Sequence, residues 1–185
     1  MSAKVARKKT PAKKVTSKPV KKAVVKKKPT VKGDFYASLV AQLRSLLKGE
    51  YDFIANAANF SALVYNSLPD VNWAGFYFLH EEVLVLGPFQ GKPACVRIPM
   101  GDGVCGFAAK QGETVIVPNV HEFPGHIACD SASNSEIVIP LFDGERVLGV
   151  FDVDSPTLKR FDDQDAEGLN ELVTVLVAHE EGLDE

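Results

Sequence analysis

The spacing of apolar residues changes period twice along this chain, and those two changes limit the fold more than any other feature. From Tyr36 onward, Leu39, Val40, Leu43, Leu46 and Leu47 recur at helical intervals. Gly49 supplies a C-terminal stop. A second helix is predicted from about Asp52 to Leu68, where Pro69-Asp70 breaks it. The period then shortens to two. NWAGFYFL and EVLVLGPF, parted by His80-Glu81, form a predicted strand pair, and CVRIP a short third strand. A short helix over Gly103 to Lys110 and a strand at ETVIVP follow. After an irregular stretch from Asn119 to Ser135, EIVIPLF and RVLGVFDVD make two strands joined by an Asp-Gly turn. Helical spacing returns after Asp162-Asp163, with Leu169, Leu172, Val173, Leu176 and Val177 on one stripe.

Hairpin-linked strands between terminal helices predict an α+β domain. It has a central antiparallel sheet of about six strands, with helices from both chain ends packed on one face. The last two strands are apolar on both sides, which places them inside the sheet and covered twice. Structureless stretches as long as 119–135 are usually functional loops or disorder. This one carries a cysteine, Cys129.

Charge divides the chain sharply. Thirteen of the 21 lysines and arginines fall in residues 1–33, which contain no acid. The other 152 residues carry 8 basic and 24 acidic side chains, so a net charge of −3 hides a basic arm on a body of −16. Rich in Lys, Ala, Val, Pro, Ser and Thr and without aromatics, the arm cannot bury enough apolar surface to offset its ordering entropy; it is predicted to be disordered. It reads either as an electrostatic contact for nucleic acid or another anionic surface, or as a solubilising extension. Its longest apolar run is AVV, too short for a secretory signal, and its excess of Lys over Arg argues against a transit peptide. No apolar run nears membrane-spanning length. A cytoplasmic protein with free thiols is expected.

Candidate chemistry rests on cysteines and carboxylates. The chain has three cysteines, Cys95, Cys105 and Cys129. Cys105, within GVCGFAA, fits a small buried hydrophobe. Cys95 opens a strand and fits either role. Cys129 lies in the polar loop HIACDSASNSE, where His126 and His121 are the only local groups able to lower its pKa. These Cys and His residues lack the paired short spacing of structural zinc sites, which disfavours a metal. Asp152 and Asp154 are two apart on a strand and share a face. Parity decides where Glu136 points. A three-residue loop Asp143-Gly144-Glu145 puts it opposite Asp152, with Asp154 one diagonal step away; a two-residue loop puts it on the other face. Clustered, the three acids would raise one another's pKa, bind an ammonium group and donate a proton. The plain alternative is solvated acids at strand ends. Trp73 and Tyr77, four apart on one strand face, are either an aromatic wall for a ligand or core packing.

WAGFYF, GKPACVRIPMGDGVCG, VPNVHEFPGHIACD, SEIVIPLF and GVFDVDSP followed by FDDQDAEGL resemble the free methionine-(R)-sulfoxide reductases, which are single GAF domains. The resemblance covers about residues 35–180 and all three cysteines. The expected organisation is therefore a basic arm over 1–33 and a GAF domain over 34–185. The resemblance implies thiol-dependent reduction of the free amino acid's R sulfoxide to methionine. Cys129 is then the nucleophile, which attacks sulfur and becomes a sulfenic acid. Cys95 matches the resolving thiol, whose disulfide a thioredoxin-type reductant exchanges away. Cys105 matches a third cysteine that is either an alternative resolver or packing. Glu136 and Asp154 are assigned to the sulfoxide oxygen and Asp152 to the substrate ammonium. Trp73 and Tyr77 match the pocket beside the methyl end, and the backbone N–H groups of Ile127, Ala128 and Cys129 the carboxylate site. No bound cofactor or metal and a homodimer are implied. A GAF module that only senses a small ligand is the alternative.

Overall fold

The computed structural model describes residues 31–127, 129–180 and 182. The arm over residues 1–30 lies outside them, as does Ala128. Helix α1 (Val31–Leu47) and α2 (Phe53–Ser67) precede strands β1 (Trp73–His80), β2 (Val83–Gly91) and β3 (Arg97–Pro99). Then come α3 (Gly103–Gln111), β4 (Val115–Val117), a 3-10 turn at Val120–Glu122, β5 (Ser135–Asp143), β6 (Arg146–Ser155) and α4 (Asp163–Glu180). The strands form one six-stranded antiparallel sheet in the order β3-β2-β1-β6-β5-β4. The α+β architecture expected from the period changes is the one observed.

Strand alternation feeds two separate cores. On one face Phe76, Ile137, Ile139, Phe151 and Val153 pack under α1, α2 and α4, with Leu43, Phe60, Leu169 and Leu176 fully buried. The opposite face presents Trp73, Tyr77, Val138 and Val150 to α3 and the loops around it. The helical face supplies most of the large apolar side chains, and burial at about 25 cal/mol per Å² makes it the main source of stability. The α3 face is thinner and carries the polar residues described below.

Two features differ from the sequence expectation. First, α1 starts at Val31, so residues 31–33 belong to a helix rather than to the arm. Lys32 explains this: its Nζ lies 2.9 Å from Asp162 and 2.7 Å from Asp165, at the start of α4. Asp165 is 1% exposed and also accepts from Tyr36 Oη and Arg160 Nη1, so α1 and α4 are tied through one buried carboxylate.

Second, the β5–β6 turn contains two residues, not three, because Asp143 pairs directly with Arg146. Taken alone, that turn would send Glu136 to the helical face. A register shift restores the parity: Phe142 pairs with Val147 but Leu141 with Gly149, leaving Leu148 as an extra residue on β6. Glu136 consequently faces Asp154, and Asp152 pairs with Val138 one step along. The expected opposition of Glu136 and Asp152 is therefore replaced by opposition of Glu136 and Asp154.

Gly149, beside the bulge, makes this possible, since a Cβ there would stand 2.2 Å from the Tyr77 carbonyl oxygen and 2.9 Å from Phe78 Cα. Substituting Gly149→Ala forces β6 away from β1. The variant is expected to lose about 1–3 kcal/mol of stability, read as a lower denaturant midpoint; an unchanged midpoint would show that the strands do not need this close approach.

Candidate active site

The acids that the bulge brings together floor a cavity on the α3 face. It is lined by Trp73 and Tyr77 of β1, Cys105 of α3, Glu136 of β5, Asp152 and Asp154 of β6, and His126, Ile127, Cys129 and Ser133 of the connecting loop. About 500 Å³ of empty space lies among these side chains, including the open mouth. That loop is long but anchored. Val120 N–H donates to the Asn134 carbonyl at 3.0 Å, and His121 Nε2 lies 2.9 Å from Asn134 Oδ1. Asn134 in turn donates to the Ser155 and Pro156 carbonyls, both at 2.7 Å. One asparagine thus closes the loop on itself and pins it to the end of β6.

Glu136 and Asp152 are 5% and 6% exposed, while Asp154 sits at the cavity edge. Burial pushes the Glu136 carboxyl well above the usual range, and the neighbouring Asp152 and Asp154 charges add to it. Asp152 is raised in the same way, first by burial and then by Asp154. Asp154 is raised to about 7 by burial, against a lowering hydrogen bond from Ser133. Cys105 Sγ lies 3.9 Å from Glu136 Oε1, and burial beside Asp152 and Glu136 keeps this thiol protonated. Across the carboxyl, His126 Nε2 stands 3.9 Å from Glu136 Oε2. His126 is held below its ordinary pKa by burial and by His121. In the sequence His126 stands only near Cys129; its position over Glu136 emerges in the fold.

A disulfide joins Cys95 to Cys129, with the two Cα atoms 5.6 Å apart. Cys105 is the free cysteine. The aromatic pair holds the Cys95 side in place as well as shaping the cavity. Tyr77 Oη donates to the Cys95 carbonyl at 3.0 Å, and Trp73 Nε1 donates to the Lys92 carbonyl at 3.1 Å. The Trp73 ring stacks between Tyr77 and Phe89, with centroids 5.9 and 5.4 Å away. On the other side, Asp130 accepts from the Ala132 N–H at 2.9 Å, which does most to hold it below the usual carboxylate range. Lys92 Nζ at 3.2 Å and Asn72 Nδ2 at 3.3 Å also reach Asp130. The Lys92–Asp130 pair therefore bridges the two cysteine segments. Lys92, Asn72, Asp130 and Ser133 escaped the sequence reading; the Asp-Ser-Ala turn after Cys129 was the one local sign of Asp130's role. Ile127 lies over Gly103, whose missing side chain leaves room for it. Among the described residues, Cys105, Glu136 and Asp152 form a group whose donor atoms lie within 4.8 Å of one another, close enough to hold a metal ion. Among them also, no helix is long and apolar enough to cross a membrane.

A curled antiparallel sheet with helices on one face and a cavity on the other is the architecture of a GAF domain, and the GAF domain family model matches residues 34–179. The chain is 54% identical over 145 residues to the free methionine-R-sulfoxide reductase of Escherichia coli K12, covering 78% of this chain and 88% of that protein. A Neisseria meningitidis free methionine-R-sulfoxide reductase, solved in complex with its substrate, matches with a TM-score of 0.79 and 43% identity. That match covers 84% of this chain and 94% of the other. A Burkholderia vietnamiensis chain described as a GAF sensor protein matches with a TM-score of 0.80 and 57% identity, over 83% and 98% of the two chains. Within the GAF class, the chain belongs to the family of free methionine-R-sulfoxide reductases.

Raised carboxyl pKa values make stability depend on pH in a defined direction. A folded carboxyl held above its ordinary 3.8 or 4.5 contributes stability that is present at lower pH and lost as pH rises through the folded value. For Asp154 that window runs from 3.8 to about 7. The Tm is expected to fall by several degrees between about pH 5 and pH 8, and Asp154→Asn to flatten the fall. A wild-type Tm that rises over this interval would contradict the buried-acid assignment.

Proposed function

We propose that this protein reduces free L-methionine-(R)-sulfoxide to L-methionine. The observation that carries the proposal is a disulfide in the wall of a cavity whose floor is three acids held above their ordinary pKa. Removing oxygen from a sulfoxide needs both a nucleophile for sulfur and a proton for oxygen, and these two groups are what the cavity offers. The E. coli and N. meningitidis relatives carry that activity in their names.

In the reduced protein, the Cys129 thiolate attacks the sulfoxide sulfur. Glu136, facing Asp154 across the strand pair, donates a proton to the oxygen as the S–O bond weakens. Methionine leaves, and the oxygen stays on Cys129 as a sulfenic acid. The Cys95 thiol then displaces that oxygen as water and forms the disulfide. Asp152 holds the substrate ammonium, the Trp73–Tyr77 wall takes the methyl end, and the backbone around Ile127 and Cys129 takes the carboxylate. A residue inside a peptide has neither charged end free, so it is excluded. Cys105, buried against Glu136, serves as packing and as a hydrogen-bond partner rather than as the resolver. A thioredoxin-type dithiol in the cytoplasm restores the two thiols, and the chain acts as a homodimer.

A GAF module that only senses a small ligand is the other reading, and one structural neighbour is described as a sensor. It gives no account of the paired cysteines, and the described cavity lining offers no lysine or arginine to a phosphate-bearing ligand.

Cys129→Ser is expected to abolish methionine formation from the free R sulfoxide with the thioredoxin system. Cys95→Ser should instead stop after about one turnover without an added thiol. Equal steady-state rates in wild type and Cys129→Ser would sink the nucleophile assignment. Glu136→Gln should slow reduction by about 100-fold or more at neutral pH, and a rate within threefold or so of wild type would remove Glu136 from the proton-donor role.

A further inference from the structure

We propose that the oxidised, disulfide form of this protein binds one Zn²⁺ ion through Cys105 Sγ and the carboxylates of Glu136 and Asp152. Helix α3 brings Cys105 down onto β5 and β6, so that a thiol and two carboxyls converge from three elements. The Cys105 Sγ to Glu136 Oε1 distance is 3.9 Å, and one donor atom from each residue lies within 4.8 Å of the others. A tetrahedral zinc with Zn–S about 2.3 Å and Zn–O about 2.1 Å has an S···O edge of about 3.6 Å. The Cys105–Glu136 separation of 3.9 Å is already close to that edge.

A second observation points the same way. Asp152, 6% exposed, has an oxygen, Oδ1, that is buried and has no hydrogen-bond partner among the described residues. It is an acceptor on a cavity whose lining, among the described residues, contains no lysine or arginine. A buried carboxylate oxygen without a donor costs free energy, and a cation is the ligand that satisfies it. His126 Nε2 lies 3.9 Å from the other Glu136 oxygen, outside the three-residue group itself.

The disulfide makes the site specific to one redox state. In the reduced protein, Cys95 and Cys129 would compete for zinc as a thiol pair. Once they are joined, Cys105 is the remaining free thiol of the chain's three cysteines. Binding displaces the Cys105 proton and any carboxyl proton to solvent; no electrons move. Its consequence rests on the proposed reductase chemistry: a bound ion holds Glu136 as carboxylate, removes the proton donor and occupies the ammonium subsite, so zinc holds back the next catalytic cycle. The binding itself does not depend on that chemistry.

The test uses the full-length oxidised chain, shown by thiol titration to retain one free cysteine. Titration calorimetry with Zn²⁺ and absorption with Co²⁺ as the spectroscopic probe are then recorded. One equivalent should bind, and Co²⁺ should give a near-ultraviolet thiolate-to-metal charge-transfer band with tetrahedral d–d bands. Cys105→Ala should abolish the charge-transfer band, and Asp152→Asn, close in shape, should weaken Zn²⁺ binding at least about tenfold. Lack of binding, a cobalt spectrum without the thiolate band, or equal affinity in wild type and Asp152→Asn would each overturn the site. Because neither readout involves turnover, a protein that reduces the sulfoxide but binds no metal overturns this inference alone.

Discussion

Three carboxyl groups share one end of one sheet face, and much of the molecule is arranged around the cost of keeping them there. An isolated carboxylate taken out of water costs several kcal/mol, so such a group neutralises instead. Among the described residues no lysine or arginine lines the cavity against Glu136 and Asp152, and burial with like charges nearby holds both carboxyls well above the usual range. Acids in that condition give stability away as pH rises. The helical face, with Phe60 set edge to face on both Phe76 and Phe151, offsets it from the other side of the sheet. The larger core and the cavity thus lie on opposite faces of one sheet.

The second constraint is the placement of sulfur relative to those acids. Neither Cys95 nor Cys129 lies in a helix or strand, so neither is positioned by a backbone ladder. Tyr77 and Trp73 instead hold the Cys95 segment through its carbonyls, and the Lys92–Asp130 pair ties that segment to the residue after Cys129. The same aromatic rings line the cavity. A substitution at Trp73 or Tyr77 would therefore disturb two things at once, the apolar wall and the approach of the two cysteines.

How much of this was legible from the sequence depends on how local each cause is. Element order followed from periodicity because helix and strand spacing are written within a few residues, and Asp52 and Gly112 act as caps where they stand. The acid trio was legible only in part. A three-residue turn and a two-residue turn with a bulge give the same parity, and nothing local separates them. The bulge sits where Gly149 meets the backbone of Tyr77 and Phe78, some 70 residues earlier in the chain. Lys32 reads as part of the arm because its neighbours are basic, whereas its partner Asp165 lies at the other end of the domain. The pairing of Cys95 with Cys129 came from family resemblance; spacing alone left all three cysteines open. Lys92, Asn72 and Asp130 lie far apart in the chain, and their meeting is visible only in three dimensions.

The central claim is that the paired cysteines and the buried acids act together on one small molecule. The most direct measurement mixes fully reduced protein with excess free methionine-(R)-sulfoxide and no external reductant, then quantifies methionine and maps the disulfide by peptide mass. One methionine per chain, matched by one Cys95–Cys129 disulfide, is the predicted result. A disulfide that forms without methionine, or no methionine at all, would contradict the account.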